Sequence, residues 1–158
     1  TFIMPGQDER KKSVKYKLVP QELEIRDKKV LILDDSIVRG NTSREIVRML
    51  KDFGAKEVYF AVACPPVKSP CFYGVDMPTK EELIAGNMNE NEIENYLNVD
   101  ALLYQKIDDL VEAVTRKGDH HIDTPCMACL DGNYITNDID DAKISQMEAV
   151  RVNDRNGK

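Results

Sequence analysis

The stretch Lys28-Lys29-Val30-Leu31-Ile32-Leu33-Asp34-Asp35 constrains the fold most. Four apolar residues stand between charges, the pattern of a parallel strand buried on both faces. Ser36-Ile37-Val38-Arg39-Gly40 leads to a helical spacing of Ile46, Val47, Leu50 and Phe53. Asn41, Thr42 or Ser43 can cap that helix, and Gly54 suits the position past its end. Val58 to Ala63 reads as a second strand, stopped by Pro65-Pro66. Thr79 and Glu82 fit a capping box for a short helix through Leu83, Ile84 and Ala85. Asn89 can cap the next helix, with Ile93, Tyr96 and Leu97 inward. Ala101 to Tyr104 is a third strand. Ile107, Leu110, Val111 and Val114 mark a further helix, ended near Gly118. This alternation predicts an α/β fold, mainly a parallel sheet flanked by helices. Beyond Gly118 an irregular cysteine-bearing segment is expected.

A chain of 158 residues has room for one domain with its own core. Its apolar runs stop at four or five residues, whereas a membrane-spanning helix needs about 20. The start, Thr1 to Gly6, lacks the basic and apolar regions of a signal peptide. The net charge of −6 argues against general affinity for nucleic acid, so a polyanion must be gripped locally. A candidate grip is the basic run Arg10, Lys11, Lys12, Lys15 and Lys17, read as a mobile charged loop or a solvated surface segment. Of the four cysteines, Cys64, Cys71, Cys126 and Cys129, an even count allows two disulfides in a secreted protein. The charged composition and missing export signal favour a reducing cytoplasm instead. Cys126-Met-Ala-Cys129 then suits a metal, an iron–sulfur cluster or redox exchange, while Cys64 reads as a buried small residue.

The chemistry is concentrated between Val30 and Phe53. Asp34 and Asp35 stand at the carboxyl end of a strand, where parallel sheets bind ligands. Gly40 lets backbone approach an anion, and a helix start offers free N–H groups and a positive dipole end. The hydroxyls of Thr42 and Ser43 add donors. The two carboxylates suit ribose hydroxyls or a divalent cation. In the plainer reading the Asp pair only ends a strand and Asn-Thr-Ser only caps a helix. Neither GxxxxGK[ST] nor GxGxxG is present, so a P-loop and a dinucleotide fingerprint are both excluded.

Val30 to Thr42, with Asp-Asp-Ser-Ile-Val-Arg-Gly at its centre, resembles the phosphoribosyl pyrophosphate (PRPP) motif of type I phosphoribosyltransferases. Its form is that of the glutamine PRPP amidotransferase family. Thr1-Phe2-Ile3-Met4-Pro5-Gly6-Gln7 with Lys12-Ser13-Val14-Lys15 resembles that family's mobile active-site loop. Cys71-Phe72-Tyr73-Gly74-Val75-Asp76 and Cys126-Met127-Ala128-Cys129 resemble two further segments of cluster-bearing members. The resemblance implies a partial type I phosphoribosyltransferase fold over residues 1–117, with 1–20 as the mobile loop and 118–158 as a C-terminal extension. It implies displacement of pyrophosphate from C1 of PRPP by glutamine-derived ammonia, giving 5-phosphoribosylamine at the start of purine synthesis. Arg39, Gly40, Asn41, Thr42 and Ser43 would hold the 5-phosphate, with Ser36 and Val38 alongside. Asp34 and Asp35 would bind ribose and Mg²⁺, and Lys12, Lys15 and Lys17 would close over pyrophosphate, Lys12 in a catalytic role. Cys71, Cys126 and Cys129 would hold a [4Fe–4S] cluster whose fourth ligand lies upstream.

On the family's plan this chain is a C-terminal part of a longer cytoplasmic protein. Its glutaminase domain lies elsewhere, its assembly is a homotetramer, and these residues in isolation are inactive. Rival readings are a salvage phosphoribosyltransferase, a PRPP-binding regulator without catalysis, and a small metal-binding interaction domain. His120 and His121 are expected in a solvent-exposed tail, with His121 a lesser candidate for a metal.

Overall fold

The computed structural model describes residues 19–115, 124–136 and 138–155. Lys12, Lys15 and Lys17 of the basic run, Gly118, and the pair His120-His121 lie outside them. Helix α1 (Glu22–Ile25) precedes strand β1 (Lys29–Asp34), helix α2 (Asn41–Asp52) and strand β2 (Glu57–Val62). A 3-10 turn (Lys80–Glu82), helix α3 (Ile84–Asn87) and helix α4 (Glu90–Leu97) lead to strand β3 (Ala101–Tyr104). Helices α5 (Ile107–Thr115), α6 (Ala128–Asp131) and α7 (Asp141–Arg155) follow.

The three strands form one parallel sheet in the order β1-β2-β3, as the alternating pattern predicts. Val30 stands opposite Val58, and Phe60 opposite Leu102. The core lies on one face. Val58, Phe60 and Val62 of β2 pack with Val47 and Leu50 of α2 and with Ile93 and Leu97 of α4. Each such side chain contributes roughly 1.5–3 kcal/mol on full burial. Helix α2 ends as expected: Phe53 and Gly54 donate their N–H groups to Met49 and Lys51, and Gly54 takes φ +85°. Asn89 caps α4 reciprocally with Glu92, at 3.0 and 2.8 Å.

Several sequence expectations need correction. Strand β1 is not buried on both faces: Leu31 is 64% and Leu33 75% exposed, and Leu103, aligned with them through Ala61, is 55% exposed. Alternation decides this, because residues two apart share a face and the described helices pack on the other one. The helix expected after Thr79 is split: its capping box opens a 3-10 turn, and extended Leu83 separates it from α3. Val114, on the expected helix α5, is 40% exposed. The segment after Gly118 is not wholly irregular, since it holds α6 and the long α7. Asp140 starts α7 by accepting from Lys143 N–H at 2.8 Å.

A second core joins the C-terminal segment to the rest. Val67, Leu83 and Leu130 are buried together, with Val38, Cys64 and Cys129 packed against them. Cys64 is therefore half-buried at the edge of this cluster and not a core residue.

Candidate functional site

The site begins where β1 ends. Ala63 and Cys64 donate their N–H groups to the carbonyls of Asp34 and Asp35, both at 3.0 Å, so the sheet's ladder continues under the loop. Asp34 Oδ1 accepts the Asp35 N–H at 3.0 Å, and Asp35 Oδ1 accepts the Ser36 hydroxyl at 3.0 Å. Among the described residues neither carboxylate forms an ion pair. Buried Ile37 anchors the next step. Val38 C=O then accepts from Ile84 N–H at 3.0 Å, and Arg39 Nε bonds Glu82 Oε1 at 3.0 Å.

Gly40, not Asn41, Thr42 or Ser43, is the residue that caps α2. It takes φ +75°, and no side chain caps the helix start. The first intrahelical bond runs from Arg44 N–H to Gly40 C=O at 2.9 Å. The N–H groups of Asn41, Thr42 and Ser43 precede that bond, so the helix presents its donor end without a side-chain lid. Asn41 Oδ1 is instead engaged by the Tyr96 hydroxyl at 3.1 Å. Thr42 is half-buried and Ser43 is buried.

The cysteines gather on the adjoining side. Cys129 C=O accepts from Lys68 and Ser69 N–H at 2.9 and 3.0 Å, and Tyr73 N–H points at Cys71 Sγ at 3.3 Å. Tyr134 fixes this region by donating to Pro70 C=O at 2.7 Å and packing on Phe72 and Tyr73. Burial first, then the neighbouring thiols of Cys64, Cys71 and Cys126, push the Cys129 thiol above its ordinary range. Burial and the nearby Asp35 charge do the same to Cys64.

A family model described as the phosphoribosyl transferase domain matches residues 5–84. The chain belongs to the phosphoribosyltransferase family. It is similar to the amidophosphoribosyltransferase of Methanothermobacter thermautotrophicus, with 46% identity over 152 residues, 96% of this chain and 31% of that one. Similarity to the Escherichia coli amidophosphoribosyltransferase is 42% over 154 residues, 98% of this chain and 30% of that one. A solved structure of glutamine PRPP amidotransferase from B. subtilis, complexed with ADP and GMP, superposes with a TM-score of 0.65 at 38% identity. That match covers 85% of this chain and 30% of the other. The chain thus spans about a third of the length of the curated relatives it matches.

In this member of the family the loop from Asp34 to Ser43 follows directly from β1 into α2, so the sequence motif and the fold meet at the carboxyl end of the sheet. The oxygen donors of Asp34 and Asp35 fit a hard divalent cation in kind, because each carboxylate keeps an oxygen beyond the bonds just described. The thiols share a neighbourhood, but among the described residues no three His, Cys, Asp or Glu side chains close into a group that could hold a metal. Arg39, assigned to phosphate from the motif, is turned to Glu82 here. The partners behind the loop, Glu82, Ile84 and Tyr96, escape sequence reasoning. They stand dozens of residues downstream, and the only local signal was Tyr96's place on the inward side of a helix.

Proposed function

We infer that this chain forms the PRPP-binding part of an amidophosphoribosyltransferase. In the parent enzyme, ammonia released from glutamine by a domain outside these residues attacks C1 of PRPP. The C1–oxygen bond to pyrophosphate breaks, and 5-phosphoribosylamine and pyrophosphate leave, the committing step of purine nucleotide synthesis. The observation that carries this reading is the helix start at Gly40 without a side-chain cap, set directly after a carboxylate pair at a strand end. Such a start binds the 5-phosphate through backbone N–H groups, with Arg39 and Thr42 beside them. Asp34 and Asp35 hold the ribose hydroxyls, and their negative charge favours the cationic sugar of the transition state. Mg²⁺, when bound to these carboxylates, neutralises pyrophosphate. Lys12, Lys15 and Lys17 complete that neutralisation and exclude water, with Lys12 in the catalytic role.

The same reading gives Cys71, Cys126 and Cys129 to a structural [4Fe–4S] cluster completed by a thiolate from outside these residues. That reading rests on the likeness of the Cys71 segment and of Cys126-Met127-Ala128-Cys129 to cluster-bearing relatives, and no step of the reaction runs through it. Anaerobically purified parent enzyme should then absorb broadly in the visible; a colourless protein with stoichiometric zinc refutes the cluster. The parent protein is assigned to the cytoplasm as a homotetramer, and these 158 residues alone to an inactive state. For the reaction, Asp34→Asn with Asp35→Asn should reduce PRPP turnover by at least about 100-fold, the scale of removing transition-state electrostatics. Undiminished turnover, or transfer to a free nucleobase instead of ammonia, overturns the assignment.

A further inference from the structure

The phosphate loop is fastened by a turn far along the chain. Val38 C=O accepts from Ile84 N–H at 3.0 Å, and one residue on, Arg39 Nε donates to Glu82 Oε1 at 3.0 Å. Two successive loop residues, the last before Gly40, are thus tied to residues 79–84. Arg39 directly precedes the point where Gly40 enters the left-handed region at φ +75° and α2 begins.

The turn sets the Glu82 carboxylate in place for Arg39. Its other oxygen, Oε2, accepts from Thr79 N–H at 3.2 Å, one half of a capping box, and Thr79 is buried. Asn87 Nδ2 braces the same turn by donating to the carbonyls of Glu81 and Leu83 at 3.0 and 2.8 Å, and Leu83 is fully buried. An exposed ion pair loses most of its worth to the freezing of two long side chains. Here the capping bond already fixes one of them, and the Arg39 and Glu82 side chains are only 27% and 37% exposed.

We propose that Glu82 is a positioning residue for PRPP, which holds the phosphate loop in its binding shape by anchoring Arg39 one residue before Gly40. This rests on the reading of the loop as the 5-phosphate site. The N–H groups at the start of α2 converge on a phosphate only while the loop that leads into them is held. The two oxygens of Glu82 have separable tasks: Oε2 serves the turn, and Oε1 serves the loop.

Glu82→Gln in the full-length parent enzyme separates them. Glutamine serves a capping box as glutamate does, so its amide oxygen keeps Thr79. Its NH2 group then faces the guanidinium, donor against donor, and Arg39 is released. KM for PRPP should rise about fivefold, the scale of one partly exposed charge pair, with kcat held within about twofold. The melting temperature should fall by no more than about 3 °C, since the turn keeps its cap. A glutamate with only the capping task would leave KM unchanged. Arg39→Gln should raise KM further, because it also removes the side chain assigned beside the phosphate. Adding Glu82→Gln to it should then change KM no more, as expected when one residue acts through the other. An unchanged KM in Glu82→Gln, a loss confined to kcat, a larger fall in melting temperature, or a double variant that adds the two single effects overturns the proposal while leaving the functional reading in place. Absence of PRPP turnover in the unmodified enzyme overturns that reading and this proposal with it.

Discussion

Gly40→Ala tests the site where the backbone is most constrained. Two penalties act there. The residue takes φ +75°, where an L side chain costs roughly 1–2 kcal/mol. Its new Cβ would also stand 2.6 Å from Ile84 Cδ1 and 3.2 Å from Tyr96 Cε1, inside ordinary contact. Overpacking of that kind costs about 1–3 kcal/mol, nearer the lower figure because the Ile84 methyl can swing aside. The expected sum is about 2–4 kcal/mol, read from the shift in urea midpoint at constant slope. Gly132→Ala supplies the control. Gly132 takes φ +81°, but its nearest neighbour would be Ser69 Oγ at 3.6 Å, an ordinary contact. It should therefore show the backbone penalty alone, about 1–2 kcal/mol. Relief of the crowding at Gly40 must move either Ile84 or the loop, so Gly40→Ala should also weaken PRPP binding, whereas Gly132→Ala should not. Equal destabilisation by the two substitutions would refute the crowding argument, and unchanged PRPP affinity in Gly40→Ala would refute the role of the loop.

Other expectations are simpler. Phe60→Ala empties the centre of the main core and should cost about 3–5 kcal/mol in denaturant unfolding. Asn89→Ala removes the reciprocal cap of α4 and should cost about 1 kcal/mol, with fraying of that helix visible in faster amide hydrogen exchange. Burial pushes the hydroxyls of Tyr104 and Tyr134 up to about 12 from the usual 10.0. Because these folded-state values lie above the unfolded one, their stabilisation is complete below pH 10 and is lost as pH rises toward 12. Alkaline unfolding should begin in that window, and Tyr104→Phe with Tyr134→Phe should flatten it.

Much of the topology could be read in local signals. Ala101 to Tyr104, the Asn89 cap and the turn at Gly54 depend on a few adjacent residues, and the structure places them where those residues point. The Asp-Asp loop was legible for the same reason, as strand, loop and helix start are contiguous. What depended on distant packing was not legible. Leu31 and Leu33 look like core residues by composition, yet which face a described helix covers is settled by tertiary contacts. Gly40 displaces the better capping residues after it because Ile84 and Tyr96 crowd that position, a fact absent from the local sequence. The Tyr96–Asn41 bond joins two helices that neither residue's neighbours connect. Helix α7 went unread in the sequence, although Asp140 caps its start.

The parallel pairing of the strands also sets how the chain can reach this state. Val30 finds Val58, and Phe60 finds Leu102, only after a full helical connection has folded back between them. No hairpin can form first and guide the rest, so each ladder must wait for the closure of a long loop. Helix α2 is the shorter of the two bridges, which makes β1, α2 and β2 the natural first unit and leaves β3 to dock later. Until it does, β2 exposes the edge that β3 will occupy, a slow interval in which one chain can pair with the strand of another.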